Sequence, residues 1–523
     1  MLDYLKKLIE NQKNKKDKSN DKGKTIYKNL ERNHSYVKNL FKDCDDINFR
    51  KFKIAGTQTS ALVVFVDGLS DRDTLSNNVV RMLTTMAKEE TTKKIDAKAV
   101  EDRLISVSKV SVVQDYDQAI EDLLSGEGLL FVDGVNSGFV LEARQWESRA
   151  VSEPLNEQVV RGPREGFVET LRFNTAMIRR RIKNNDLKMK HFKIGRQTKT
   201  DVAVIYMSNI AKQELIDEVK ERLEQIDIDG ILDSNYIEEL IEERTISPFP
   251  QMLNTERPDK AVAHLLEGKV IIVTDGSPNV LVLPVTITDF FQSAEDHYNR
   301  YIVATLTRFL RLFAFFASTS LTSLYVILTT FRYEVLPERI IFSIAENRRE
   351  LPFSPFVEAL LLEFLIEFLR EATIRIPGPF GQTIGIVGAL IIGQAAIDAN
   401  LVGPILVVIT ATSMLGSFAI PSYNMSSAVR VMRFPILIAS GLYGGFGFVL
   451  MWMIILTHLC NLESFGVPFL QPLFPFKASE QRDNIYRAPR RWLRRRPIET
   501  AGNNVRRQRG VENGEKEAKE KKE

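Results

Sequence analysis

Apolar and polar positions follow two different regimes along the 523-residue chain. Up to about Arg300, short β-rich runs such as LVVFV (residues 62–66) and VAVIY (residues 202–206) are each followed by stretches in which apolar positions recur at helical spacing. From about residue 301 to 459 apolar segments dominate, with few charges. The first regime predicts α/β structure and the second a polytopic helical transmembrane domain. At its centre lies RIPGPFGQTIGIVGALIIGQAAIDAN (residues 375–400), where Gly381, Gly385, Ala389 and Gly393 recur every fourth position. They line one side of a helix and let a second backbone approach closely. Gln394 and Asp398 follow one turn apart, and such groups are costly in an apolar helix unless they face protein or a wet cavity. Both are therefore expected to be buried between helices.

The first half contains an internal echo. RKFKIAGTQTSALVVFVDGLSDRDTLSNNVVRML (residues 50–83) matches KHFKIGRQTKTDVAVIYMSNIAKQELIDEVKERL (residues 190–223) without a gap. Each reads as a strand, a turn, a β-rich strand and an amphipathic helix. A second pair follows in the same order, LLSGEGLLFVDGVNSGFVLEA (residues 123–143) and LLEGKVIIVTDGSPNVLVLPV (residues 265–285). Gly126 and Gly268 end a helix in each, and Asp133-Gly134 and Asp275-Gly276 turn the strand that follows. Two echoes predict tandem α/β subdomains of common plan, each with helices on a small mixed sheet. The expected divisions are a loose basic leader (1–48), a first subdomain (49–143), a charged helical linker (144–189) and a second subdomain (190–293). A transmembrane domain with four to five apolar segments (294–470) and a charged cytoplasmic tail (471–523) complete the chain.

Five apolar segments are legible in that domain, at about 312–331, 352–376, 383–399, 401–420 and 435–459. Arg308 and Arg311 are placed to reach a headgroup layer at its entrance. The second segment carries a polar stripe of Glu363, Glu367 and Arg370, bordered by Glu371 and Thr373, while Glu358 lies off it. It fits either an amphipathic helix at the interface or a helix lining an aqueous path, where carboxylates repeated around an oligomer would favour cations. Gly441 and Gly445 repeat the close-packing spacing. The Arg-rich tail argues for a cytoplasmic C-terminus, and the N-terminus lacks the apolar core of a secretory signal. With both ends on one side the crossings are even in number, so one of the five segments is not a complete span.

Composition adds little, because 44% hydrophobic residues, 26% charged residues and a net charge of +3 average over the two regimes. Cys44 and Cys460 support neither a disulfide framework nor a metal site. Arg179, Arg180 and Arg181 are candidate phosphate ligands or partners of nearby glutamates, and no Gly-rich phosphate loop accompanies them. SPFPQMLNTERPDKA (residues 247–261) reads as an ordered loop crossing the second subdomain. The five histidines, His34, His191, His264, His297 and His458, show no HExxH spacing, and no GxSxG elbow is present. The chain is read as no enzyme, with no cofactor, no metal and no nucleic-acid partner.

The strings VVRGP, SPFPQ, NTERPDK, LPFSPFVEALLLEFLIEFLREA, GPFGQTIGIVGALIIGQAAIDANLV and SFGVPF, in this order between about residues 52 and 470, carry a family resemblance. The chain resembles the A subunit of the GerA-type nutrient germination receptors of spore-forming bacteria. The F product of the stage V A operon shares this architecture and is the alternative identity. The resemblance implies a multi-pass protein of the spore inner membrane with its N-terminal domain and tail cytoplasmic. Its implied partners are a B subunit similar to amino-acid transporters, a C subunit that is a lipoprotein, membrane lipid and further copies of itself in a ring. It implies a nutrient-gated channel that releases monovalent cations at the start of germination. On this chain the pore-lining assignment goes to Glu363 and Glu367, with Gln394 and Asp398 second. A secondary carrier and a membrane scaffold recruiting other germination proteins are the competing functions.

Overall fold

The structure is a computed structural model and describes residues 25–57, 59–85, 110–145, 153–154, 156–375, 393–477, 480–502 and 504–508. The first sheet is built from β1 (Ile47–Lys53), β2 (Ser60–Val66), β3 (Val110–Val113), β4 (Gly128–Val132) and β5 (Gly138–Leu141), in the order β1-β2-β4-β5-β3. The second uses β6 (Leu187–Ile194), β7 (Thr200–Met207), β8 (Leu253–Thr255), β9 (Val270–Thr274) and β10 (Val280–Leu283), in the order β6-β7-β9-β10-β8. The two orders are equivalent strand for strand. Every ladder in both is antiparallel, which corrects the expected mixed sheets.

The central strands are apolar at consecutive positions because helices cover both faces of each sheet. Leu62, Val64 and Val66 of β2 pack under helices α1 (Leu30–Leu40) and α2 (Tyr116–Leu124). Ala61, Val63 and Phe65 meet Leu75, Val79 and Leu83 on the other side. In the second sheet, Val202, Val204 and Tyr206 of β7 face α4 (Gln213–Glu224) and α5 (Ser234–Ile241). Ala203, Ile205 and Met207 face α3 (Leu171–Arg181) and α6 (Pro258–Leu265).

The repeat is larger than the sequence echo. Asp133 Oδ1 accepts from Leu30 N (3.1 Å) at the start of α1, and Asp275 Oδ1 accepts from Leu171 N (2.9 Å) at the start of α3. Gly134 N and Gly276 N donate to the Lys28 and Glu169 carbonyls (2.8 and 2.7 Å). Asn33 and Asn174, one turn into each helix, clamp the backbones of Tyr27 and Val168 in the same two-bond arrangement. Helix α3, expected as a linker, is thus the first helix of the second unit. Its counterpart α1 lies in the stretch expected to be a loose leader, yet Leu30 and Val37 are buried against the first sheet.

The units join edge to edge. Asp45 N donates to the Met189 carbonyl (2.9 Å) and Met189 N to the Asp43 carbonyl (3.1 Å), bringing the approach to β1 alongside β6. Arg179 seals the seam. Its Nε and Nη2 meet Asp46 Oδ2 and Oδ1 at 2.8 and 2.9 Å, with both side chains buried. Arg180 and Arg181 both pair with Glu165. The arginine triplet therefore has protein partners, the second of its two readings.

The helical half begins at α7 (Tyr301–Thr330), eleven residues before the expected span. Arg308 and Arg311 do not reach outward; both pair with Asp296 (3.1 and 2.7 Å) and fasten α7 to the end of the second unit. Short helix α8 (Glu338–Arg348) leads to α9 (Pro355–Arg375), α10 (Pro404–Phe418) and α11 (Tyr423–Cys460). Helix α11 starts well before Pro435, capped by Ser422, and so takes in Arg430 and Arg433. A straight helix of its 38 residues would be roughly 57 Å long. Instead Gly444 takes φ +61, and Gly447 comes against the carbonyl of Ala439, so the chain doubles back there. Only a residue without a Cβ enters that conformation cheaply.

Contacts fix the directions of these legs. Ser413 Oγ donates to the Ser318 carbonyl (2.9 Å) while a Cβ on Gly416 would lie 2.8 Å from the Ala314 carbonyl, so α10 descends along α7. The first arm of α11 rises from Ser426 beside Ser417 (2.8 Å) to Gly444 beside Phe331. The second falls back past Ser320, which accepts from Trp452 Nε1 (3.2 Å), to His458. There Ser247 Oγ meets His458 Nε2 (2.8 Å), and Ser464 Oγ donates to the Gln251 carbonyl (2.7 Å). Residues 247–252 are therefore the joint between the second unit and the helical half, and the remainder of the stretch expected as a loop is β8 and the start of α6. The two share one core that runs from Ile205 and Phe290 through Phe315 to Ile436 and Leu459. Residues 480–508, expected as a charged tail, fold back as a strap: Gly502 N donates to the Ile210 carbonyl (2.6 Å) and Arg507 pairs with Glu267 (2.5 Å).

Candidate functional site

Helix α9 is rich in Leu, Glu and Ala, strong helix formers, and its acidic positions meet three arginines. Glu363 is 1% exposed and accepts from Thr322 Oγ1 of α7 (2.9 Å) and Arg433 Nη1 of α11 (2.5 Å). One turn on, Glu367 Oε1 meets Arg430 Nη1 (2.7 Å), whose Nη2 donates to Ser427 Oγ (2.6 Å). Residue numbers rise along α9 as they fall along α11, so the two helices are antiparallel at this crossing. Glu358 is fully buried, pairing with Arg348 (3.2 Å) and accepting from Gly403 N (3.3 Å) at the start of α10. Arg370 stacks over the Phe418 ring at 5.4 Å.

The carboxylates therefore differ in environment. Glu363 and Glu358 are enclosed, whereas the Glu367 side chain is 41% exposed and borders Phe364 and Phe368, both exposed. Buried Arg433 Nε and Nη2, Arg430 Nε and Ser323 Oγ have no hydrogen-bond partner among the described residues. Such groups call for ordered water or an ion, since unpaired buried polar atoms are costly.

Gln394 and Asp398 are exposed on the single chain, where Gln394 Nε2 donates to Asp398 Oδ1 (2.9 Å). Their expected burial between helices is not met within one chain. Of the small-residue positions, Gly381, Gly385 and Ala389 lie outside the described residues, and Gly393 and Gly445 have no close neighbour among the described residues. Among the described positions of this set, Gly441 packs closely, against Phe356. Helix α10 closely approaches α7 at Gly416, outside the predicted seam.

Residues 35–499 match the family described as Bacillus/Clostridium GerA spore germination protein. The chain belongs to the GerA family. Within it, the chain is 39% identical over 465 residues to spore germination protein KA of Bacillus subtilis (strain 168), covering 89% of this chain and 85% of that one. It is 38% identical over 482 residues to the B. subtilis (strain 168) protein named uncharacterized membrane protein YfkQ, covering 92% of this chain and 93% of that one. Among solved structures, the N-terminal domain of the A subunit of the Bacillus megaterium spore germinant receptor GerK3 is similar, with 32% identity and a TM-score of 0.41. That likeness covers 50% of this chain and 97% of that one.

In this GerA-family chain, sequence reasoning found the acidic stripe but missed its partners. Arg430 and Arg433 are three residues apart and Glu363 and Glu367 four apart, spacings that align on facing antiparallel helices. That match was available once both arginines were read as helical rather than as flanks of a later segment. Glu358 lies off the stripe, yet it accepts from Gly403 N at the start of α10.

Proposed function

We propose that this chain is the A subunit of a nutrient germinant receptor, embedded in the spore inner membrane with both α/β units and the strap cytoplasmic. It assembles with a B subunit, a C subunit and further copies of itself, and copies arranged in a ring conduct monovalent cations. Two helices, Tyr301–Thr330 and Tyr423–Cys460, are long and apolar enough to cross a membrane. Exposed side chains such as Phe313, Phe316, Val408, Leu415, Phe446 and Val449 supply an outer surface suited to lipid or to neighbouring copies. The start of α7 and the end of α11 both abut the second unit, which fits an even number of crossings. The described legs α9 and α10 run in the same direction, α9 descending along the rising arm of α11 and α10 descending along α7.

The observation that carries the channel reading is the contrast between the two ion pairs on α9. Glu363–Arg433 is sealed and holds α7, α9 and α11 together. Glu367–Arg430 is half exposed on a helix whose neighbouring surface is apolar. An ionisable group at such a position marks an ion path more often than it serves packing. In the ring, Glu367 faces the passage, and swinging Arg430 away leaves a circle of carboxylates that favours cations. The segment 247–252 transmits movement from the second unit to the foot of α11. Imaging the purified assembly tests this reading. Glu367 around a central axis supports it, and Glu367 against lipid beside a dry, filled centre overturns it.

A further inference from the structure

Where the strap crosses the second unit it closes a cleft of about 530 Å³ against α6 and the segment that leads into α7. Cations dominate its lining: Lys260, Arg487, Arg490, Arg496 and Arg507. The two carboxylates there are already engaged, Asp259 by Arg257 (2.9 Å) and Tyr298 (2.5 Å), and Glu267 by Arg507 (2.5 Å). Lys260 is likewise neutralised, by Glu157 (2.7 Å). Among the described residues, three further guanidinium groups, those of Arg487, Arg490 and Arg496, form no ion pair with a carboxylate. Arg487 reaches only the Asn299 and His297 carbonyls (both 3.4 Å), Arg490 the His297 carbonyl (3.1 Å), and Arg496 the Leu266 and Arg506 carbonyls (2.7 and 2.6 Å) and Asn504 (3.0 Å). The nearby carboxylate Asp483 is held by Arg308 and Arg507 (3.5 and 3.8 Å). Arg487 is 4% exposed, and its Nε has no partner among the described residues; the same holds for Nδ1 of buried His264 on the cleft wall.

Three like charges lining one cleft, one of them with a buried donor unused, favour an anion that joins them. Planar guanidinium groups match the oxygens of a phosphate two at a time. We propose that this cleft binds a phosphate group, carried by a free phosphate or by an anionic lipid headgroup, with Arg487, Arg490 and Arg496 as its ligands. The cleft lies at the root of the helical half. Arg487 N donates to Thr305 Oγ1 of α7 (3.2 Å), and Thr305 Oγ1 donates back to the Arg487 carbonyl (3.3 Å). A bound phosphate would therefore tie the strap, the second unit and α7 into one body. Burial together with Arg308 and Arg487 pushes His297 down to about 4, so the imidazole on the cleft wall is neutral. A bound phosphate dianion would raise it.

The test is calorimetric titration of the full-length protein in neutral detergent with inorganic phosphate, beside native mass spectrometry of the same protein with phosphatidic acid or phosphatidylcholine. We expect saturable phosphate binding, or retention of phosphatidic acid over phosphatidylcholine, and the one that occurs identifies the source. Arg490→Gln, at an exposed position with a single carbonyl contact, should weaken binding about tenfold, the effect of losing one charge-assisted hydrogen bond. Arg496→Gln serves as the second variant. Absence of binding by both probes overturns the proposal, as does binding that neither variant weakens. The channel reading is independent of this outcome, because Glu367 lies on another element.

Discussion

Glu363 of α9 and Arg433 of α11 form an ion pair in which neither side chain is more than 5% exposed, with Thr322 of α7 completing the carboxylate's contacts. Three helices thus meet at one charge pair. Removing either partner strands the other, which costs about 3–5 kcal/mol. We expect Glu363→Gln and Arg433→Met each to lower the melting temperature of detergent-purified protein sharply, and the double variant to regain most of the loss. Additive losses would mean that the two side chains act separately.

The two α/β units are capped at equivalent places, and the caps do not weigh equally. Helix α1 has its own N-cap in Asn29, whose side chain accepts from Arg32 N (3.1 Å), in addition to Asp133. Helix α3 starts at Thr170, which makes no side-chain cap bond, and relies on Asp275. Asp275→Ala should therefore cost about 1–2 kcal/mol and Asp133→Ala less than about 1 kcal/mol. Denaturant unfolding of the full chain reads both, and the reverse order would contradict this account of the repeat.

Arg179 and Asp46 tie the units to each other. Asp46→Asn leaves a buried guanidinium and should destabilise by about 3 kcal/mol. Hydrogen exchange at Met189, on the seam, should rise in step with that loss. An unchanged rate would show the seam to be held by its backbone bonds alone.

These relationships were unevenly legible in the sequence. Short β-rich runs and Asp-Gly turns placed the strands, and the echo exposed the duplication. The helices that open each unit escaped notice because α1 and α3 share little beyond a leucine and an asparagine three residues later. The stripe on α9 was visible from spacing alone, since i, i+4 positions must share a face. Its neutralisation depends on α11, which a proline at 435 made look like two elements, while the true reversal sits at Gly444. The strap was read as a tail because arginines commonly face water, and here they cross a cleft instead.

Glu238 and Glu242 on and after α5 give the second unit a pH dependence. Burial, with Glu242 and Asp233 nearby, pushes Glu238 up to about 7, and burial beside Glu239 pushes Glu242 to about 7. Both keep their protons in the fold at pH values where the unfolded chain has lost them. Stability is therefore greatest below the ordinary carboxylate range and falls as pH rises towards about 7, where the folded groups ionise. Melting of the full chain should drop between about pH 5 and about pH 8. Glu238→Gln should flatten the drop, and an unchanged slope in that variant would remove Glu238 as its source.

The channel reading meets its most direct test in the rate of nutrient-triggered cation release from spores carrying Glu367→Gln, with the variant present at normal abundance. Because Glu367 is half exposed and Glu363 holds the helices together, this change should spare assembly while slowing release or altering its selectivity among monovalent cations. Release that is unchanged in both rate and selectivity would contradict the placement of Glu367 on the ion path.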